Sequence, residues 1–127
     1  MTTKITSANI TQSGASGISS VAWQAVQTTG FTAVAGRAYP CNTTSAAFTV
    51  TLPASPAAGN VITLTDYAGT FTTNNLTINP NGGKINGSTS NYAVSQNRGS
   101  FQLVYVDSTQ GWLVYGTAFF HTPPTVD

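Results

Sequence analysis

Apolar side chains in this chain recur at every second position in short runs, and no segment of ten or more residues carries them at helical spacing. Period two places alternate residues on opposite faces of an extended strand, so each run has one face to bury. The clearest case is 48–52, where Phe48, Val50 and Leu52 alternate with Thr49 and Thr51. Residues 61–66 place Ile62 and Leu64 on one face, Leu76 and Ile78 mark another strand, and 99–107 point Phe101, Leu103 and Tyr105 one way. Shorter strands are predicted at 21–26, 31–34 and 37–41. Pro40 lacks an N–H for a ladder and so suggests an edge or an end. Turn chemistry separates the runs: Ala35-Gly36, the loop 53–60 with two prolines and a glycine, Asp66-Tyr67-Ala68-Gly69, Asn79-Pro80-Asn81-Gly82-Gly83 and Ile85-Asn86-Gly87. Ser108-Thr109-Gln110-Gly111 closes a hairpin onto a strand at 112–115, and 116–120 continues apolar.

Many short strands between turns predict an all-β fold, here a single antiparallel β-sandwich or barrel-like domain. With 127 residues the chain has the size of one domain. Residues 1–20 are polar, rich in Ser, Thr and Gly, and hold no sustained period. They read as an extended N-terminal arm, ordered by contact with something else, or as a loose terminus. The division expected is an arm at 1–20, a β-module at 21–120 and a C-terminal tail at 121–127.

Charge is scarce. Charged residues make up 6% of the chain, against about 25% in an ordinary soluble domain. The surface must be built from Thr, Ser, Asn, Gln and Gly, and Thr favours strands. The four cations, Lys4, Arg37, Lys84 and Arg98, form no stripe that could follow a phosphate backbone, so nucleic acid is not an expected partner. No apolar run approaches the roughly 20 residues that span a bilayer, and the start lacks the apolar centre of a signal peptide. Synthesis in a cytosol and no membrane partner are expected. Cys41 is alone, so no intramolecular disulfide is possible.

Little is left for catalysis. The acids are Asp66, Asp107 and Asp127, with no glutamate. Asp66 and Asp107 each end a predicted strand before a turn, where an aspartate accepts turn amides. The one histidine, His121, stands by Thr122-Pro123-Pro124, a poor place for a rigid triad. One His, one Cys and three Asp also make a metal site within one chain unexpected. Gly82-Gly83-Lys84 resembles part of a phosphate loop without its strand–helix context. The expectation is a non-enzyme without cofactors. Sugar binding stays open: Tyr67, Tyr92 and Trp112 could stack on a pyranose, although Trp112 after a hairpin and Tyr at strand ends also serve as core caps.

The order of these signals is itself informative. Val21-Ala22-Trp23-Gln24 is followed by Gly36-Arg37-Ala38-Tyr39, then Phe48-Thr49-Val50-Thr51-Leu52-Pro53 and Ala57-Ala58-Gly59-Asn60-Val61-Ile62. Asp66-Tyr67-Ala68-Gly69, Asn75-Leu76-Thr77-Ile78, Asn81-Gly82-Gly83-Lys84-Ile85-Asn86-Gly87, Leu103-Val104-Tyr105 and Gly111-Trp112 complete the series. Over about residues 21–115 this resembles a β-module of tailed-bacteriophage virion proteins, found in tail fibres and related appendages, notably of cyanophages. The opening Lys4-Ile5-Thr6-Ser7-Ala8-Asn9-Ile10 also looks like the starts of phage fibre proteins.

The resemblance implies a homotrimer on the virion exterior, made in the host bacterial cytoplasm, with no catalytic residues. A module standing nearly alone is closer to capsid decoration, or cement, proteins, which stabilise the head shell by binding the major capsid protein. The alternatives are a small tail fibre or baseplate appendage, with tail proteins or a host-surface glycan as partners, and a carbohydrate-binding module. On the decoration reading Lys4, Ile5, Ile10 and Ile18 are candidate virion contacts, and Tyr115, Phe119 and Phe120 a candidate subunit interface. Trp23, Tyr39, Asp66 and Trp112 are assigned structural roles.

Overall fold

A computed structural model of the chain describes residues 21–116. The arm with Lys4, Ile5, Ile10 and Ile18, and the segment with Phe119, Phe120 and His121, lie outside the described residues. The described part is all-β and holds no helix. Its strands are β1 (Ala22–Trp23), β2 (Phe31–Thr32), β3 (Arg37–Cys41), β4 (Phe48–Thr51), β5 (Val61–Asp66), β6 (Leu76–Asn79), β7 (Tyr92–Val94), β8 (Ser100–Asp107) and β9 (Gly111–Tyr115).

The strands form two mixed sheets, ordered β1-β3-β5-β8-β9 and β2-β4-β6-β7. From β1 to β6 the chain alternates between them, so each strand joins its sheet beside the strand two elements back. Such pairs run parallel, and four of the seven ladders do: β1–β3, β2–β4, β3–β5 and β4–β6. The other three ladders among the described residues, β5–β8, β6–β7 and β8–β9, are antiparallel. The expected antiparallel sheet is corrected here. Alternation reports which face a residue occupies and carries no strand direction. The return path that parallel neighbours need is supplied by a strand of the other sheet instead of a helix.

Pro40 lies one residue before the end of β3, between β1 and β5, so of the two expected positions, an edge or an end, it takes the end. Its missing donor coincides with a bulge on the β1 side. Gln24 N–H bonds the Ala38 carbonyl and Gln27 N–H the Pro40 carbonyl, so three residues advance against two. That extra residue ends β1 after Trp23, where a strand over 21–26 was expected.

Residues of both sheets meet in one core. Tyr39, Cys41, Ile62, Leu64, Phe101, Leu103 and Trp112 come from the first sheet; Val50, Leu76, Ile78 and Val94 come from the second, joined by Leu52 and Phe71. The Phe31 and Tyr39 rings touch across the sheets at a centroid distance of 4.6 Å. Full burial of a side chain such as Leu or Ile contributes roughly 1.5–3 kcal/mol, so this set is the main source of stability.

At the end of β5, Asp66 is on the core side and 4% exposed. One carboxylate oxygen accepts the N–H groups of Gly69 (3.0 Å) and Thr70 (3.1 Å). The other accepts those of Phe71 (3.2 Å) and Arg98 (2.8 Å). Asp66 therefore ties the turn after β5 to the loop before β8 and seats Phe71 in the core.

Cys41 is fully buried in β3. Burial, and secondarily the Asp66 charge, push its thiol from 9.0 up to about 12. The folded state thus keeps the proton where the unfolded chain begins to release it. The stabilisation is complete below about pH 9 and is lost as pH rises from 9 to 12. Over that window the unfolding free energy should fall with pH up to about 1.4 kcal/mol per unit more steeply than in Cys41→Ala. Denaturant melts of both proteins at pH 9 and 11 check this; parallel slopes would refute it.

Candidate functional site

Two surfaces stand out, a cleft among the loops at one end and the outer face of the five-stranded sheet. The cleft has a volume of about 460 Å³. Pro53, Ala54 and Pro56 form one wall, residues 80–84 with Thr89 another, and Tyr105, Ser108, Gly111 and Trp112 complete it.

Hydrogen bonds hold each wall. Asn79 accepts the Asn81 N–H at 2.8 Å, closing a turn in which Asn81 (φ 55°) and Gly82 (φ 86°) are left-handed. The Asn81 amide then reaches the Leu52 carbonyl (2.9 Å) and joins this wall to the proline wall. Tyr105 N–H donates to the Asn60 carbonyl, and Gly59 N–H to the Tyr105 carbonyl. The Lys84 carbonyl accepts Trp112 N–H (2.8 Å), and Asn86 N–H returns to the Trp112 carbonyl (2.7 Å). Residues 84–86 thereby run along β9 as a short added rung. Asp107 accepts the N–H groups of Thr109 and Gln110 and fixes the last turn.

Trp112 is 1% exposed. It backs Tyr105 edge-on at 5.5 Å, so Tyr105 is the aromatic ring that this end leaves half open. Among the described residues, the Lys84 ammonium and the hydroxyls of Thr89, Tyr105 and Ser108 have no hydrogen-bond partner. Among the described residues no carboxylate lines the cleft.

The outer face of the five-stranded sheet follows from register. Trp23 pairs with Ala38, Ala38 with Thr63, Thr63 with Gln102 and Gln102 with Tyr115, one row across all five strands. Val61, Val104 and Leu113 form the row on one side; Pro40, Thr65 and Ser100 the row on the other. None of these residues is charged. Gln102 donates to the Thr63 hydroxyl (3.1 Å), so the middle of the row is satisfied internally. Trp23 at 57% and Tyr115 at 43% exposure stand at its two ends.

The residues singled out by sequence separate accordingly. Tyr39 and Trp112 are buried, and Asp66 organises two loops. Trp23, assigned a structural role, projects outward because β1 is a two-residue edge strand that turns it away from the core. Tyr115 lies on the outer face beside the chain's exit from β9. Of the three sugar-stacking candidates, Tyr67 is exposed away from the cleft, with its carbonyl held by the Arg98 guanidinium. Tyr92 packs on the core from β7, and Trp112 is covered. Tyr105 was missed because period two assigns it wholly to the core. Gly82-Gly83-Lys84 is brought to the cleft with no helix after it. Among the described residues no three His, Cys, Asp or Glu side chains gather as for a metal. No protein-family model matches this chain, and no curated protein matches it either.

Proposed function

We propose that this protein is a non-enzymatic structural subunit, a two-sheet sandwich that assembles as a homotrimer on the exterior of a tailed-phage virion. In the preferred reading it is a capsid decoration protein bound to the major capsid protein. The observation that carries the assembly reading is the charge-free outer face of the five-stranded sheet. Eleven of its residues lie in three register rows, bracketed by the exposed rings of Trp23 and Tyr115. Aromatic residues at the ends of an uncharged face are what subunit interfaces enrich, and a face without charge leaves no ion unpaired when it is covered. The virion location comes from the resemblance of the module at 21–115, and the arm at 1–20, with Lys4, Ile5, Ile10 and Ile18, is assigned the virion contact on the same ground. Placement on the tail, as an appendage, is the second reading and is favoured by the loop-end cleft.

Sedimentation at micromolar concentration should give a trimer of the 13.1-kDa chain. Trp23→Lys should weaken association at least about thirtyfold, the loss expected of an aromatic anchor. A monomeric native protein removes the assembly reading. Imaging of intact particles tests the location, and subunits found on the tail end the decoration reading.

A further inference from the structure

We propose that the loop-end cleft is a binding site for a single saccharide unit that carries a carboxylate, with Lys84 as its charge partner and Tyr105 as its ring contact. The site stands apart from the assembly face and does not depend on the virion reading. Its volume of about 460 Å³ lies within the range of about 300–1,000 Å³ usual for small-molecule sites.

The chemistry of the lining selects the ligand. Pro53, Pro56 and Pro80 supply rigid apolar walls for the C–H faces of a sugar ring, and Tyr105 supplies an aromatic one. Four polar side chains there have no partner among the described residues, those of Lys84, Thr89, Tyr105 and Ser108. Three are hydroxyls, which both donate and accept, as sugar hydroxyls do. The fourth is a cation with no carboxylate beside it among the described residues of the cleft. A ligand that satisfies all four is hydroxylated and anionic. A metal ion finds no anionic ligand in this lining, and a nucleic-acid backbone needs more than one cation.

The walls are also preorganised. The Lys84 backbone is held by Trp112, the Asn81 turn by Leu52, and Tyr105 by the Trp112 ring and Asn60. Little ordering entropy remains to be lost when a ligand enters.

Titration of the full-length protein, followed by backbone amide NMR shifts, tests the site. The probes are the methyl glycosides of glucuronic, galacturonic and N-acetylneuraminic acid, the matching neutral methyl glucoside and galactoside, acetate, and N-acetylglutamate. At least one acidic glycoside should give saturable shifts at Gly82, Gly83, Lys84, Thr89, Ser108 and Gly111, with an affinity about tenfold above its neutral counterpart. Lys84→Gln should abolish that preference, and Tyr105→Phe should weaken acidic and neutral glycosides together. The proposal is overturned if no acidic glycoside shifts these amides, if acetate or N-acetylglutamate does so equally well, or if Lys84→Gln leaves the preference intact.

Discussion

Replacing Asp66 with alanine should lower the unfolding free energy by about 4 kcal/mol, a large share of the 5–15 kcal/mol that holds an ordinary domain together. The carboxylate is buried and accepts four backbone N–H groups, two on each oxygen. Alanine leaves all four donors without their acceptor. Three belong to the turn that seats Phe71, and the fourth belongs to Arg98, which has a left-handed φ of 57°. Both loops lose the group that holds them. Asp66→Asn is nearly as harmful, at about 3 kcal/mol, because either orientation of its amide points an NH₂ at two N–H groups. Urea unfolding of the three proteins measures these costs. Values within 1 kcal/mol of the parent for both variants would mean that the loops hold without the carboxylate.

Gly111→Ala should cost about 4 kcal/mol and distort the cleft, whereas Gly82→Ala should cost about 1–2 kcal/mol. Both glycines are left-handed, with φ of 75° and 86°. A methyl group at Gly82 meets open space, so only the backbone conformation is penalised. At Gly111 it would land on the carbonyl of Lys84, main-chain atoms that a rotamer change cannot move. That carbonyl is also the acceptor for Trp112 N–H, so relief of the clash breaks the rung between residues 84–86 and β9. The difference between the two variants in chemical denaturation isolates the clash from the φ penalty. Equal costs would show that this segment yields freely.

The strands were legible wherever a run was long enough to show its period. Phe48, Val50 and Leu52, and likewise Ile62 and Leu64, point inward as the alternation predicts. β7 was not legible, since three residues cannot establish a period. Strand direction was invisible for a different reason: a parallel neighbour two elements away leaves no mark in local spacing, and only the hairpin at 108–111 announced its own pairing. In the cleft, the Asn81-Gly82-Gly83-Lys84 turn was readable as a turn. Its meeting with Pro53 and Tyr105, far along the chain, was not. Tyr105 shows the limit most clearly, because its position says inward, while the loops around it determine that its ring stays partly open.

β5 has a parallel neighbour, β3, on one side and an antiparallel neighbour, β8, on the other. It is the seam between the wound half of the chain and the hairpin half. Neither half can peel away alone, because each would leave a bare edge on β5 and uncover Ile62 and Leu64 together. The module therefore has no natural cleavage line into smaller folding units. Its strands are gained and lost as one cooperative block.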